Sequence, residues 1–104
     1  MLSIGPRKSV KVTKANPNIN VGTNSYFSVS GDGTNPKIIL SRRTDKDFGQ
    51  LLLIECSLAQ GFTVVNKYDT YNTDLSKTHQ MKGGDTLLLV WSNRWVEISF
   101  SKNS

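Results

Sequence analysis

The sequence is poor in the residues that most often build crosslinks, metal sites and catalytic centres. Its 104 residues include one cysteine, Cys56, and one histidine, His79. A single cysteine excludes a disulfide within the chain and any zinc site built from several thiolates. We therefore expect the fold to be stabilised by packing, and we expect neither a metal ion nor another cofactor.

Long hydrophobic runs are also missing. A membrane-spanning helix needs about 20 apolar residues, and the apolar runs of this chain are much shorter. The N-terminus lacks the apolar block of a secretory signal peptide. These two absences predict a protein that has no membrane partner and remains in the cytoplasm of the cell that makes it.

The groups that could carry catalysis form no recognisable motif. Cys56 is distant from His79 and lies in an apolar run, where a thiol usually behaves as a small buried hydrophobe, and we expect His79 at the surface. Asp69, Asp74 and Asp85 fit no calcium-loop spacing. They lie in polar turns, where carboxylates commonly accept hydrogen bonds from backbone N–H groups. We therefore predict that the protein is not an enzyme.

Acidic residues are absent from the first 31 positions, although the whole chain carries a net charge of +5. This stretch has a charge of +4, and the remainder is nearly neutral at +1. Breakers at Gly5-Pro6 and Asn16-Pro17 isolate the short alternating run around Val10 and Val12. We predict a basic extended arm over residues 1–24 and a separate body over residues 25–104. The cations of the arm are Arg7, Lys8, Lys11 and Lys14.

Short runs of aliphatic, β-branched and aromatic residues are abundant, and Gly, Asn and Asp separate them. Such runs predict strands, and their spacing is typical of sandwiches. We predict an all-β fold, a small β-sandwich or jelly roll of about seven or eight short antiparallel strands. Upstream of residue 83 the predicted strands are residues 9–13, 26–30, 37–41, 50–56, 62–68 and 78–81.

The C-terminal stretch from Gly83 to Phe100 has the pattern of a β-hairpin with Ser92-Asn93 as its loop. If Trp91 pairs with Arg94, alternation along each strand divides the side chains between two faces. The predicted core face holds Leu87, Leu89, Trp91, Val96, Ile98 and Phe100. The other face holds Leu88, Val90 and Trp95, an apolar patch that a monomer rarely exposes. We predict that these three residues pack between chains.

Two kinds of ligand remain open. A flat surface of Tyr68 and Tyr71, with Asn72 and Asp74 as hydrogen-bonding partners, would suit a glycan. The basic arm and the tyrosines would suit nucleic acid bound to a β-barrel. Nucleic acid is the weaker hypothesis, because the aromatic residues are not interleaved with the lysines.

The segment Gly84-Asp85-Thr86-Leu87, then Leu89-Val90-Trp91 and Arg94-Trp95-Val96-Glu97-Ile98-Ser99, resembles the closing hairpin of small tailed-phage virion proteins. These are capsid decoration (cement) proteins and the knob domains of tail fibres and spikes. The upstream order of strands, with Gly49-Gln50 leading one of them, is similar as well. The resemblance covers residues 37–100 and leaves out the basic arm.

The resemblance implies a structural virion protein with a small β-sandwich, commonly trimeric and without catalytic residues. Only some two dozen residues precede the predicted body, whereas a fibre knob normally follows a shaft. We therefore expect a decoration protein on the capsid surface that binds the major capsid protein through Arg7, Lys8, Lys11 and Lys14. A tail-fibre tip that recognises host glycan is the alternative.

Overall fold

The computed structural model describes residues 4–58 and 60–104, and it is nearly all-β, with 42% strand and 3% helix. The described strands are β1 (Lys8–Lys11), β2 (Asn18–Ile19), β3 (Tyr26–Ser30), β4 (Lys37–Leu40), β5 (Leu51–Cys56), β6 (Phe62–Val64), β7 (Thr73–Asp74), β8 (His79–Met81), β9 (Thr86–Trp91) and β10 (Trp95–Ser101). A short 3-10 helix, Asp45–Asp47, lies between β4 and β5. The predicted strands are therefore close to the observed ones in position.

The strands form two sheets, and the chain alternates between them. The large sheet has the order β1-β3-β5-β9-β10-β7, and the small sheet has the order β2-β4-β6-β8. Each of the strands β1 to β4 pairs in parallel with the strand two places further along the chain. The chain therefore winds as a β-solenoid of about four turns.

The prediction of a β-sandwich or jelly roll of antiparallel strands was wrong. In such folds, consecutive strands commonly pair as antiparallel hairpins. Here consecutive strands of the first three turns lie in different sheets, and each strand finds its partner one full turn away. Eight of the strands were predicted at about the right positions, but β2 and β7 were not predicted, and the only pairing predicted was that of the hairpin.

The solenoid reverses direction after β6. Strand β8 pairs antiparallel with β6, and β9 pairs antiparallel with β5, so the fourth turn runs back against the third. Strand β10 then folds onto β9 as a hairpin and pairs in parallel with the two-residue β7. We call β1–β6 the parallel part and β7–β10 the returning part.

The core lies between the two sheets and consists of side chains stacked in register. Phe27, Ile54, Leu87 and Phe100 face one another across β3, β5, β9 and β10. The first three are buried, and Phe100 is half-buried against the others. In β3, β5 and β9, alternation places every second residue in this core, as the period of a strand requires.

Backbone atoms of successive turns come very close at one corner. A Cβ atom added to Gly31 would lie 2.1 Å from the carbonyl oxygen of Gly61, and one added to Gly61 would lie 2.3 Å from the oxygen of Met81. Any side chain at these two positions would therefore push the turns apart. Glycine is needed here for close approach.

Residues 8–21 are the first turn of the solenoid. Strand β1 pairs with β3, and β2 pairs with β4. Val12, Ile19 and Val21 are buried in the common core. The prediction that residues 1–24 form an arm apart from the body is therefore corrected for residues 8–21, because three of them belong to the core of the body.

The hairpin is present, but its register differs by one residue from the predicted one. Trp91 pairs with Trp95, so the loop is Ser92-Asn93-Arg94, with Asn93 in the left-handed region at φ 66°. Trp95 consequently faces inward and is 0% exposed. It is a core residue, so the prediction that it packs between chains was wrong.

A β-bulge between Glu97 and Ser99 then shifts the register again. Ile98 at the bulge is 51% exposed. Val96, which pairs with Val90, lies on the outer side of the sheet. The core positions predicted for Val96 and Ile98 were therefore wrong as well.

Candidate functional site

The outer side of the large sheet carries a continuous group of aliphatic side chains, which we call the aliphatic face. Its members are half-buried and point away from the core. They are Leu51, Leu53, Leu88, Val90 and Val96. Leu53 lies opposite Leu88, and Val90 lies between Leu51 and Val96, so each member has an aliphatic neighbour on the next strand.

Ion pairs mark the two ends of the aliphatic face. At one end, Arg7 lies 3.6 Å from Glu55, which also accepts a 3.1 Å hydrogen bond from the Tyr26 hydroxyl. Burial and this hydrogen bond raise the pKa of Tyr26, so its hydroxyl remains a donor at neutral pH. At the other end, Arg94 and Asp74 are 2.9 Å apart. Apolar side chains are therefore framed by both signs of charge.

The structure distributes the four predicted basic contacts over several surfaces, and all of them are exposed. Arg7 lies at the end of the aliphatic face. Lys8 and Lys11 belong to β1, the edge strand of the large sheet, where lysines hinder pairing with another strand. Lys14 lines a cleft on the opposite side of the molecule, next to the small sheet.

Of the four residues predicted to bind a glycan, Tyr68 and Asn72 meet at Arg42, whereas Asp74 and Tyr71 have other partners. Tyr68, 46% exposed, has its ring 5.8 Å from the guanidinium carbon of Arg42. The Asn72 side chain donates a 2.7 Å hydrogen bond to the Leu40 carbonyl oxygen, and Asp74 is paired with Arg94. Asn72 and Asp74 therefore serve to hold loops together.

Tyr71 lies instead in a cleft on the outer side of the small sheet. The cleft has a volume of about 400 Å³, and Lys14, Lys37 and Ile39 also line it. Lys37 and Ile39 reach it from β4, because Ile38 and Leu40 on the same strand point into the core. No pattern in the sequence indicates this grouping, because Lys14 lies beside β4 only through the parallel winding.

His79 is buried, which corrects the expectation of a surface histidine. Its side chain is 2% exposed, and its Nε2 lies 2.6 Å from Oε1 of Glu97. The Phe100 ring stacks on it at 4.0 Å, and its Nδ1 has no partner in the described residues. The pair joins β8 of the small sheet to β10 of the large sheet. The pair therefore connects the two sheets, and we refer to this place as the closed end of the core.

Glu97 is held in its charged form by its hydrogen bonds. Burial raises the pKa of this carboxyl, but hydrogen bonds from His79 and Ser76 outweigh that effect and bring the pKa below its ordinary value. The Ser76 hydroxyl and backbone N–H both bond to the carboxylate. All these partners belong to the protein, so the pair has a structural role.

Cys56 and Asp85 also have structural roles. Burial, together with the negative charges of Asp85 and Glu55, raises the pKa of the Cys56 thiol to about 11, so little nucleophilic thiolate exists at neutral pH. The Asp85 carboxylate accepts hydrogen bonds from the backbone N–H groups of Lys82, Asn103 and Ser104. It ties the C-terminus to the turn before β9.

Residues 4–58 and 60–104 contain no cluster of three or more His, Cys, Asp or Glu side chains that could hold a metal ion. Nor do they form a helix with the length and apolar character needed to cross a membrane. Comparison of the chain with protein-family models, curated proteins and solved structures gives no match. The features that bear on function are therefore the aliphatic face and the hairpin sequence, and the cleft is a separate surface.

Proposed function

We propose that the protein is a structural virion protein of the capsid-decoration type, and that its chains associate through the aliphatic face. The observation that carries the proposal is the group Leu51, Leu53, Leu88, Val90 and Val96 on the outer side of the large sheet. The link to virions comes from the resemblance of the hairpin sequence, residues 83–100. In this role the protein binds further copies of itself and the major capsid protein.

The aliphatic face is suited to another copy of the chain. Burial of apolar surface contributes about 25 cal/mol per Å², and a specific interface buries about 800 Å² on each partner. Each end of the face carries a cation and an anion, so a second copy in the opposite orientation places Arg7 and Glu55 near Asp74 and Arg94. Such self-complementarity is characteristic of contacts between identical chains.

Replacing Leu88 by Lys tests the association. We expect the wild-type protein to sediment at a multiple of the 11.6 kDa chain mass, and Leu88→Lys to sediment as a folded monomer. Gln80→Lys is the control, because Gln80 is an exposed strand residue of the small sheet, away from the aliphatic face and from the ion pairs at its ends. A wild-type monomer at micromolar concentration, or an unchanged mass for Leu88→Lys, contradicts the proposal.

The contact with the capsid is assigned to Lys8 and Lys11, the exposed lysines of the edge strand. Removing the first 20 residues is unsuitable as a test, because it removes buried Val12 and Ile19. The double variant Lys8→Glu/Lys11→Glu keeps the core intact. We expect it to lose binding to capsids of the encoding phage, whereas Lys102→Glu, which changes an exposed lysine of the C-terminal tail, keeps it. Equal binding by both variants contradicts the assignment.

A tail-fibre tip and a nucleic-acid-binding barrel are the alternative functions, and the geometry favours them less. Only one of the predicted glycan residues, Tyr71, lines a cleft, and the predicted basic residues lie on different surfaces. Immunogold labelling of purified virions separates the virion roles. Label over the capsid supports decoration, whereas label confined to the tail tip supports the fibre alternative.

A further inference from the structure

The cleft at Tyr71 has the chemistry of a ligand site and takes no part in the proposed association. It lies on the small sheet, whereas the aliphatic face lies on the large one. Lys14 contributes from the link between β1 and β2, Lys37 from β4, and Tyr71 from the loop before β7. Three different turns of the chain therefore supply its walls.

Two exposed ammonium groups border the cleft without an internal counter-ion. Among the described residues, neither Lys14 nor Lys37 forms an ion pair within 4.0 Å. Lys14 belongs to the acid-free stretch at the start of the chain. The cleft therefore presents positive charge to solvent.

The remaining wall is partly apolar and partly able to form hydrogen bonds. Pro17, Ile39 and the Tyr71 ring supply apolar surface, and Thr34 and Asn35 supply a hydroxyl and an amide. A simple inorganic anion would leave the apolar surface unused. A neutral sugar would leave the two lysines unused.

The backbone around Tyr71 is constrained. Thr70 and Asn72, on either side of it, have φ values of 72° and 60°, and Asn35 across the cleft has φ 52°. Non-glycine residues rarely adopt this region, and they cluster at binding sites, where the surrounding structure holds them. The Asn72 side chain is anchored to the Leu40 carbonyl oxygen, and the Tyr71 N–H bonds to the Asp69 carbonyl oxygen, so the backbone that carries Tyr71 is fixed.

We propose that this cleft binds an acidic sugar, with the C–H face of the sugar ring against Tyr71 and its carboxylate at Lys14 and Lys37. Aromatic rings pack well against flat, weakly polar surfaces, and the lysine ammonium groups form charge-assisted hydrogen bonds to carboxylates. A cleft of about 400 Å³ lies within the size range of small-ligand sites and accommodates one or two sugar units.

The test compares digalacturonic acid with digalactose, its neutral counterpart, by NMR titration of the full chain. We expect backbone signals of residues lining the cleft to shift with the acid, and binding to weaken by about tenfold or more in Tyr71→Ala and in Lys37→Gln. Lys67→Gln is the matched control, because Lys67 is an exposed lysine outside the residues that line the cleft. The amide spectrum of each variant confirms that it remains folded.

Three outcomes overturn the proposal. They are equal binding of the neutral disaccharide, binding of acetate or sulfate as tight as that of the acid, and equal effects of Lys37→Gln and Lys67→Gln. The result is independent of the oligomeric state, since Leu88→Lys leaves the cleft unchanged. Sugar binding by that monomeric variant therefore supports the cleft even where association fails.

Discussion

The parallel part and the returning part of the solenoid are held together in different ways. In the parallel part, the backbones of successive turns come close at two glycines, Gly31 and Gly61. In the returning part, the two largest buried side chains contact each other. The Trp91 and Trp95 rings lie 5.2 Å apart at 61°, and their indole N–H groups bond to carbonyl oxygens of the loop after β4. The glycine contacts of the parallel part therefore have their counterpart in a tryptophan pair in the returning part.

This difference predicts that mutations will act differently in the two parts. Where backbones touch, adding a single methyl group is damaging, because neither turn can move without breaking its ladder. Where side chains fill the core, removing volume is damaging, because a cavity remains. The comparison is therefore tested by truncating a buried side chain, by adding a methyl group at a glycine, and by a pH titration at the closed end of the core.

The largest effect is expected for Trp95→Ala in the returning part. Trp95 is fully buried and donates a 2.9 Å hydrogen bond to the Ser41 carbonyl oxygen. Its truncation should lower the free energy of unfolding by about 4 kcal/mol. Denaturant unfolding followed by circular dichroism measures this loss.

The control is Val96→Ala, one residue further along β10 on the outer side of the sheet. It should cost less than about 1 kcal/mol in the monomer, because its side chain is already partly exposed. If Trp95→Ala is too unstable to purify, Trp95→Phe gives the same ranking at a smaller amplitude. Equal losses for positions 95 and 96 would mean that the two sides of the strand are not distinct.

The sequence predicted the two parts with unequal success. In the returning part, the hairpin of β9 and β10 was predicted because both strands and their loop are adjacent in the chain. Its register was wrong by one residue, because Asn93 adopts a left-handed conformation and makes a three-residue loop with Ser92 and Arg94. That single residue moved Trp95 from the outer side into the core.

In the parallel part, the positions of all strands except β2 were predicted, but their pairing was not. The partners of Val10 and Phe27 are Val29 and Ile54, so pairing joins positions a full turn apart. No internal repeat marks that distance in the sequence. The cleft was missed for the same reason, since Lys14 and Lys37 meet only through the winding.

In β9 of the returning part, Leu88 and Val90 were predicted on the outer side of the sheet, and the structure places them there.

The next effect is expected for Gly31→Ala in the parallel part. The new methyl carbon would lie 2.1 Å from the Gly61 oxygen, much closer than two such atoms can approach, so the second and third turns must separate. We expect a loss of about 3 kcal/mol in the free energy of unfolding. Thermal and denaturant unfolding both measure it.

Gly49→Ala separates steric contact from backbone strain. A methyl group at Gly49 meets no atom within 4 Å, but the residue has φ 93°, which alanine adopts at a cost. We expect a loss of about 1 kcal/mol there. A larger loss at Gly49 than at Gly31 would contradict the view that the turns are packed backbone to backbone.

The smallest effect concerns Glu97, whose carboxylate bonds to His79 and closes the end of the core in the returning part. Hydrogen bonds from His79 and Ser76 hold its pKa below the ordinary value despite burial. A carboxyl with a depressed pKa in the folded state stabilises the protein above the pKa of the unfolded chain. That contribution is lost as pH falls through the folded-state value.

The unfolding free energy of the wild type should therefore decrease below about pH 4, and Glu97→Gln should decrease less steeply there while costing about 1 kcal/mol at neutral pH. Denaturant unfolding at a series of pH values measures both quantities. Ser76→Ala removes the hydroxyl donor and leaves the charge, so its acid dependence should fall between those of the wild type and Glu97→Gln. Parallel curves for the wild type and Glu97→Gln would show that this pair does not stabilise the closed end. The remaining contact at the closed end would then be the stacking of the Phe100 ring on His79.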